Sequence, residues 1–228
     1  MNGHNDSAVK IVNLSKEIKG HKILKDIHLE ISRGKICGIV GRNGSGKTML
    51  FKVIAGLIRP TSGIIEIFGN PITSGKFPKN IGLLLDKNGL LPHYSGLENL
   101  KLLASINNII SLEEIKKTLE IVGLDPEDKR PTKYYSLGMK QRLGIAQAIM
   151  EKPSLLILDE PMNGLDEDGV ADIRNLIKNL KRQNVTILLS SHNSEDINLL
   201  CDEVYKMDKG CLSAFNNLNE NNLQKSPK

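Results

Sequence analysis

This sequence predicts an α/β fold: a mostly parallel sheet, an antiparallel β subdomain at the N-terminus and an inserted helical subdomain. Three observations carry that reading. Short β-branched or alternating segments come first, compact apolar runs alternating with helical patterns follow, and the stretch between residues 85 and 155 is almost wholly helical. With 228 residues, one large unit over 1–228 is expected, its helical subdomain at 87–152 and a polar, Asn-rich tail at 216–228.

The elements follow in order. Ala8 to Leu14, Ile23 to Ile31 and Ile64 to Phe68 are bounded by Gly or Lys-Gly turns and read as antiparallel strands. Lys35 to Val40, Ile81 to Leu85, Leu155 to Leu158, Val185 to Leu189 and Glu203 to Met207 are apolar enough to be buried on both faces. Helical periodicity covers Gly46 to Leu57, Gly96 to Asn107, Leu112 to Val122, Gly138 to Glu151, Glu167 to Lys181 and Glu195 to Leu200. Strand and helix alternate through most of this order, which predicts parallel pairing.

Composition excludes several classes. Hydrophobic residues make up 39% and charged residues 25%, so a core can form and the chain is not disordered throughout. No apolar run approaches the roughly 18 residues of a membrane span, and Met1 to Lys10 lacks the apolar segment of a signal peptide. A cytoplasmic protein is expected. The net charge of +5 is scattered, Trp is absent and aromatics are 4%, so no nucleic acid partner is expected. Cys37, Cys201 and Cys211 form no CxxC pair and read as reduced structural thiols.

Gly41-Arg42-Asn43-Gly44-Ser45-Gly46-Lys47-Thr48 matches G-x-x-x-x-G-K-S/T between a predicted strand and a predicted helix, the setting of a P-loop NTPase core. Small residues let the backbone close around phosphates, with successive amides and the helix N-terminus aimed at the anion. Lys47 supplies a cation for the β and γ phosphates of ATP, the Thr48 hydroxyl a ligand for Mg²⁺, and Met49 continues the nucleotide-binding segment. Leu155 to Pro161 then puts Asp159 and Glu160 at the C-terminal end of a buried strand, where ligands gather in parallel sheets. Asp159 suits Mg²⁺ and Glu160 suits a base that activates water. Ser136 reads as the N-cap of a helix carrying Gly138, Gly144, Ala146 and Ala148.

These segments together resemble an ATP-binding cassette ATPase, the nucleotide-binding subunit of an ABC transporter, from about Val9 to Gly210. The resemblance rests on their order: phosphate loop, a loop after Leu85, the Ser136 signature, Asp159-Glu160, the turn Asn163-Gly164-Leu165-Asp166, and His192 after Ser190-Ser191. It implies a Mg²⁺-dependent ATPase in which two cassettes face head to tail, as a homodimer or heterodimer. Ser136 and Gly138 would then contact the γ-phosphate held by the partner, Asp166 would lie in the dimer-contact loop, and His192 would be a switch contact to the γ-phosphate. It also implies separate membrane permease subunits, with this chain peripheral on the inner face of the cell membrane.

The departures narrow the branch. Ser-x-Gly-Met-Lys-Gln-Arg at 136–142 is similar to cassettes of multidrug, bacitracin and lantibiotic exporters, and so is an acidic residue at Asp86, where many members place a Gln that meets Mg²⁺ and the permease. Ile18 stands where many members stack a Tyr on adenine. Export of a peptide antibiotic or drug is the leading expectation. A soluble relative acting on ribosomes or DNA, or a regulatory module that holds ATP without turnover, stays open beside it. Against these stand the single phosphate loop, the lack of sustained heptads, and the presence of Glu160 and His192.

Overall fold

The computed structural model describes residues 6–72, 77–85 and 89–215. In chain order its elements are β1 (Ser7–Ile18), β2 (His21–Ser32), β3 (Ile36–Val40), α1 (Lys47–Ile54), β4 (Ser62–Ile67), β5 (Asn70–Pro71), β6 (Ile81–Leu84), α2 (Gly96–Asn107) and α3 (Leu112–Ile121). A short 3-10 turn at Thr132–Tyr134 leads into α4 (Leu137–Ile149). Then come β7 (Leu155–Asp159), α5 (Glu167–Arg182), β8 (Thr186–Ser190), α6 (Ser194–Leu200), β9 (Glu203–Asp208) and β10 (Cys211–Ala214).

Two sheets form. The first is antiparallel, in the order β2-β1-β4-β5, and the second runs β10-β9-β3-β8-β7-β6. All pairs of the second sheet are parallel except β10 with β9. The apolar runs are apolar throughout because both faces of this sheet are covered, and successive side chains divide between two cores. Leu155, Ile157, Cys37, Ile39 and Leu188 join the core beneath the antiparallel sheet and α1. Leu156, Leu158, Ile36, Ile187 and Leu189 join the core shared with α2 to α6.

Between β6 and β7 every described element is helical. α2 and α3 each begin with a capping box, in which Ser95 pairs with Glu98 and Ser111 with Glu114, so two otherwise unpaired amides are satisfied at each start. α1 stops at Ile54, three residues before the sequence pattern ends, because the chain turns at Gly56 with φ 75°. β10 was not expected from its sequence, since Cys-Leu-Ser-Ala lacks β-branched residues. It forms because the Lys209-Gly210 turn folds it back on β9.

Parallel strands put their C-terminal ends on one edge. β3 ends at the phosphate loop, β7 at Asp159, β8 at Ser190 and β6 just before Leu85. The candidate chemistry therefore collects there from segments more than a hundred residues apart.

Candidate functional site

A cleft of about 770 Å³ opens on that edge, lined by Lys47, Thr48, Asp159, Glu160 and His192, among others. Its floor is the loop 41–46. Gly41 has φ 156°, and a Cβ there would come within 2.3 Å of the Met207 carbonyl oxygen, so glycine is the residue that lets β3 turn into the loop. The Lys47 ammonium is nearly buried and donates to the Gly41 carbonyl at 2.7 Å. An ammonium has three protons, so it can hold the loop and still meet an anion above it. The Ser45 hydroxyl is buried without a hydrogen-bond partner among the described residues, an orphan that a phosphate oxygen would satisfy.

A continuous chain of hydrogen bonds crosses the mouth of the cleft. Thr48 Oγ1 donates to Asp159 Oδ2 at 2.5 Å. Ser190 Oγ donates to Asp159 Oδ1 at 2.6 Å and accepts from the Glu160 amide at 3.0 Å. His192 Nδ1 lies 2.9 Å from Glu160 Oε2, and the His192 amide also points to that oxygen at 3.3 Å. The first turn of α1 and the ends of β7 and β8 thus hold two hydroxyls, two carboxylates and one imidazole against each other.

The His192 turn has its own support. Arg174 on α5 reaches Asp196 at 2.6 Å and Glu195 at 2.8 Å. Asp196 is 1% exposed and accepts from the Ser191 hydroxyl at 3.0 Å, one residue before His192. The Arg174 guanidinium holds the Glu195 carboxyl below its ordinary range. Beneath the loop, burial pushes the Cys37 thiol well up and the Cys201 thiol to about 12, so both stay protonated.

The Ser136 region lies apart from this chain of bonds. Ser136 caps α4, its hydroxyl accepting from the Met139 amide at 3.1 Å, and it is exposed. Leu137 beside it is 68% exposed, and Gly138 follows in the first turn of α4. Asp166 caps α5, accepting from the Gly169 amide at 3.0 Å.

The cleft brings together Asn43, Gly44, Gly46, Lys47, Thr48, Met49, Asp159, Glu160 and His192 from the residues singled out in the sequence. Arg42 lies in the same loop, where its carbonyl is 3.4 Å from the Lys47 ammonium. Ile18 ends β1, and it is Ile23, on β2, that lines the cleft. Asp86 lies outside the described residues. Sequence reasoning passed over Ile23, Ser190 as the link between the Asp159 carboxylate and the Glu160 amide, and Gln141. Gln141 donates from α4 to the Glu160 and Pro161 carbonyls, each at 3.0 Å. Ser190 was discoverable as the last residue of a strand paired with β7. Gln141 falls within the 136–142 motif, but nothing local marked its bond to the Glu160 turn.

The family model described as ABC transporter matches residues 24–163. The chain belongs to the ABC transporter family.

Among its relatives, the uncharacterized ABC transporter ATP-binding protein YybJ of Bacillus subtilis is 43% identical, over 90% of this chain and 95% of that protein. The bacitracin transport ATP-binding protein BcrA of Bacillus licheniformis is 42% identical, over 90% of this chain and 68% of that one. The crystal structure of an ATP-binding cassette of an ABC transporter in its ADP conformation superposes with a TM-score of 0.78 at 25% identity, covering 91% of this chain and 90% of that one. This ABC transporter cassette is an ATPase subunit of the branch that includes bacitracin and lantibiotic transport ATP-binding proteins. Among its described residues, no helix is long and apolar enough to cross a membrane.

The family implies ATP and Mg²⁺, and the donor set fits both. Among the described residues no three His, Cys, Asp or Glu side chains cluster as a metal cage. Mg²⁺ does not require one, since it is commonly held by one or two carboxylates beside substrate phosphates and water. Thr48 and Asp159 already converge on one point next to Lys47.

Proposed function

We propose that this cassette powers a separate membrane permease that exports a peptide antibiotic or drug, working as a homodimer or heterodimer on the cytoplasmic face of the membrane. The observation that carries the chemistry is the hydrogen-bonded series Thr48–Asp159–Ser190–Glu160–His192 beside Lys47. The similarity to a bacitracin transport protein supports the substrate class.

In this reading the loop Gly41 to Thr48, with Met49, holds the ATP phosphates, and Ile18 and Ile23 border the adenine. Lys47 sets a cation against the β and γ phosphates. Thr48 and Asp159 would hold Mg²⁺, with Asp86 as a further candidate, and the ion would supply neutralisation of phosphate charge there. Glu160 Oε2 accepts a proton from the attacking water as its oxygen bonds to the γ-phosphorus, and the bridging oxygen leaves with ADP. His192 holds Glu160 through Nδ1, and Nε2 can donate to the γ-phosphate only when both ring nitrogens carry protons. Ser136 and Gly138 act on the partner's nucleotide, where the exposed N-terminus of α4 can receive an anion. Asp166 holds the dimer-contact loop by capping α5.

The test is expression of the cassette with the membrane protein that co-purifies with it in a sensitive bacterium, scored by minimal inhibitory concentrations of bacitracin and a lantibiotic. Resistance should rise with the wild type and vanish with Glu160→Gln. Equal sensitivity in both, with ATP turnover intact, would exclude this substrate class.

A further inference from the structure

Glu160 occupies an uncommon backbone conformation. Its φ is 51°, in the left-handed region that a residue with a Cβ enters only when its surroundings over-determine it. Its amide is held by the Ser190 hydroxyl at 3.0 Å, and its carbonyl accepts from the Asn163 amide at 3.2 Å. These bonds come from the strand beside it and from its own turn.

The remaining hold comes from elsewhere. Gln141 sits on α4, five residues after Ser136, and its amide nitrogen donates to the Glu160 and Pro161 carbonyls, each at 3.0 Å. A carboxamide has two N–H protons, and here each has one carbonyl, which also fixes which end of the amide is nitrogen. The first turn of α4 packs on the same turn lower down: Leu137 lies so close to Gly164 that a Cβ there would sit 2.5 Å from its Cγ. Farther along α4, Arg142 reaches the Val122 carbonyl at 2.7 Å and Asp172 on α5 at 3.0 Å, so Gln141 projects from a braced helix.

We infer that Gln141 is a positioning residue for the hydrolytic carboxylate, holding the Glu160–Pro161 backbone to α4 so that the orientation of α4 sets where Glu160 Oε2 points. The inference rests on Glu160 being the base, as proposed above. Its consequence is mechanical. The helix that carries Ser136 to the partner's nucleotide also carries the amide that aims this chain's own carboxylate, so tilting α4 withdraws the support and lets Glu160 leave its left-handed conformation. A misplacement near 1 Å at a reacting group lowers rates by roughly 10²-fold, so loss of one support of several should lower turnover on the order of tenfold.

Three variants test this in steady-state ATPase assays of the whole chain, with thermal melting as a control for folding. Gln141→Met keeps the length of the side chain and removes both donors. It should lower kcat on the order of tenfold while KM and the calorimetric ATP affinity stay within about twofold. Gln141→Asn should behave alike, because its amide is one methylene too short. Gln141→Glu puts a carboxylate against two carbonyl oxygens and should be slowest at about pH 8. Its rate relative to wild type should recover towards about pH 6, where the protonated carboxyl donates again.

Wild-type kcat in Gln141→Met, or a fall matched by an equal loss of folded protein in both neutral variants, overturns the inference. So does a pH-independent ratio for Gln141→Glu. Failure of the underlying reading looks different: Glu160→Gln would then hydrolyse ATP at the wild-type rate whatever stands at 141.

Discussion

In the proposed function the cleft on the strand edge and the N-terminus of α4 both meet phosphate, yet one is closed within the chain and the other is left open. In the cleft, Lys47 is nearly buried, and Thr48, Asp159, Ser190, Glu160 and His192 satisfy one another. At α4, Ser136 is exposed, its hydroxyl accepting from the Met139 amide with its own proton still to donate, and the neighbouring Leu137 stands 68% exposed. A site complete in one chain can bind by itself. A bare helix N-terminus offers a partial positive charge and free amides, and becomes a site only when a second molecule brings the anion.

The difference can be broken or sharpened by mutation. The largest effect is expected at Glu160, where Glu160→Gln keeps the shape but removes proton acceptance. Hydrolysis should fall on the order of 10²-fold or more, and size-exclusion chromatography with ATP should reveal a held dimer. Monomer alone, with nucleotide bound, would argue against two cassettes closing on ATP.

Ser136→Asp probes the open site. Asp is as good an N-cap as Ser, so α4 and the melting temperature should be preserved. A carboxylate facing phosphate at an effective dielectric of 20 opposes it by several kcal/mol, so dimer formation and hydrolysis should drop by at least about 10²-fold. Calorimetric ATP binding to the monomer should be unchanged; weaker monomer binding would mean that Ser136 acts within its own chain.

Lys47→Ala gives the reverse pattern. Losing a hydrogen bond to a charged group removes about 1.5–3 kcal/mol, so ATP affinity of the monomer itself should weaken by roughly 10- to 100-fold. Calorimetry that finds wild-type affinity would leave the loop as a structural turn.

The smallest effects concern the base. Trimming the apolar wall with Ile23→Ala should cost about 1 kcal/mol, near fivefold in Kd, and Ile18→Tyr should tighten ATP by a similar factor if adenine reaches the end of β1. Measuring both separates a nucleotide seated against β2 alone, in which only Ile23→Ala matters, from one spanning both positions.

Much of this is legible in the sequence alone. The phosphate loop is a contiguous string whose spacing encodes a backbone shape, and Asp159-Glu160 end an unbroken apolar run, so both announce themselves locally. The doubly covered sheet is written in the same runs, because strands buried on both faces have no polar alternation. Ser136 could be read as a helix cap for the same local reason, its side chain bonding an amide three residues ahead.

What the sequence by itself determined, then, were elements and motifs whose physics is short-range: turn geometry, capping, hydrophobic period. Only the tertiary structure decided which of them meet. Ser190 joins Asp159 to Glu160 across a parallel pairing of β7 with β8, and Ile23 rather than a residue of β1 lines the cleft because of how β2 passes over the loop. Gln141 bonds the Glu160 carbonyl across 19 residues of chain, which no periodicity could signal. The reason is that a hydrogen bond between distant segments depends on sheet order and helix placement, and those are set by burial summed over the whole chain rather than by any one stretch of it.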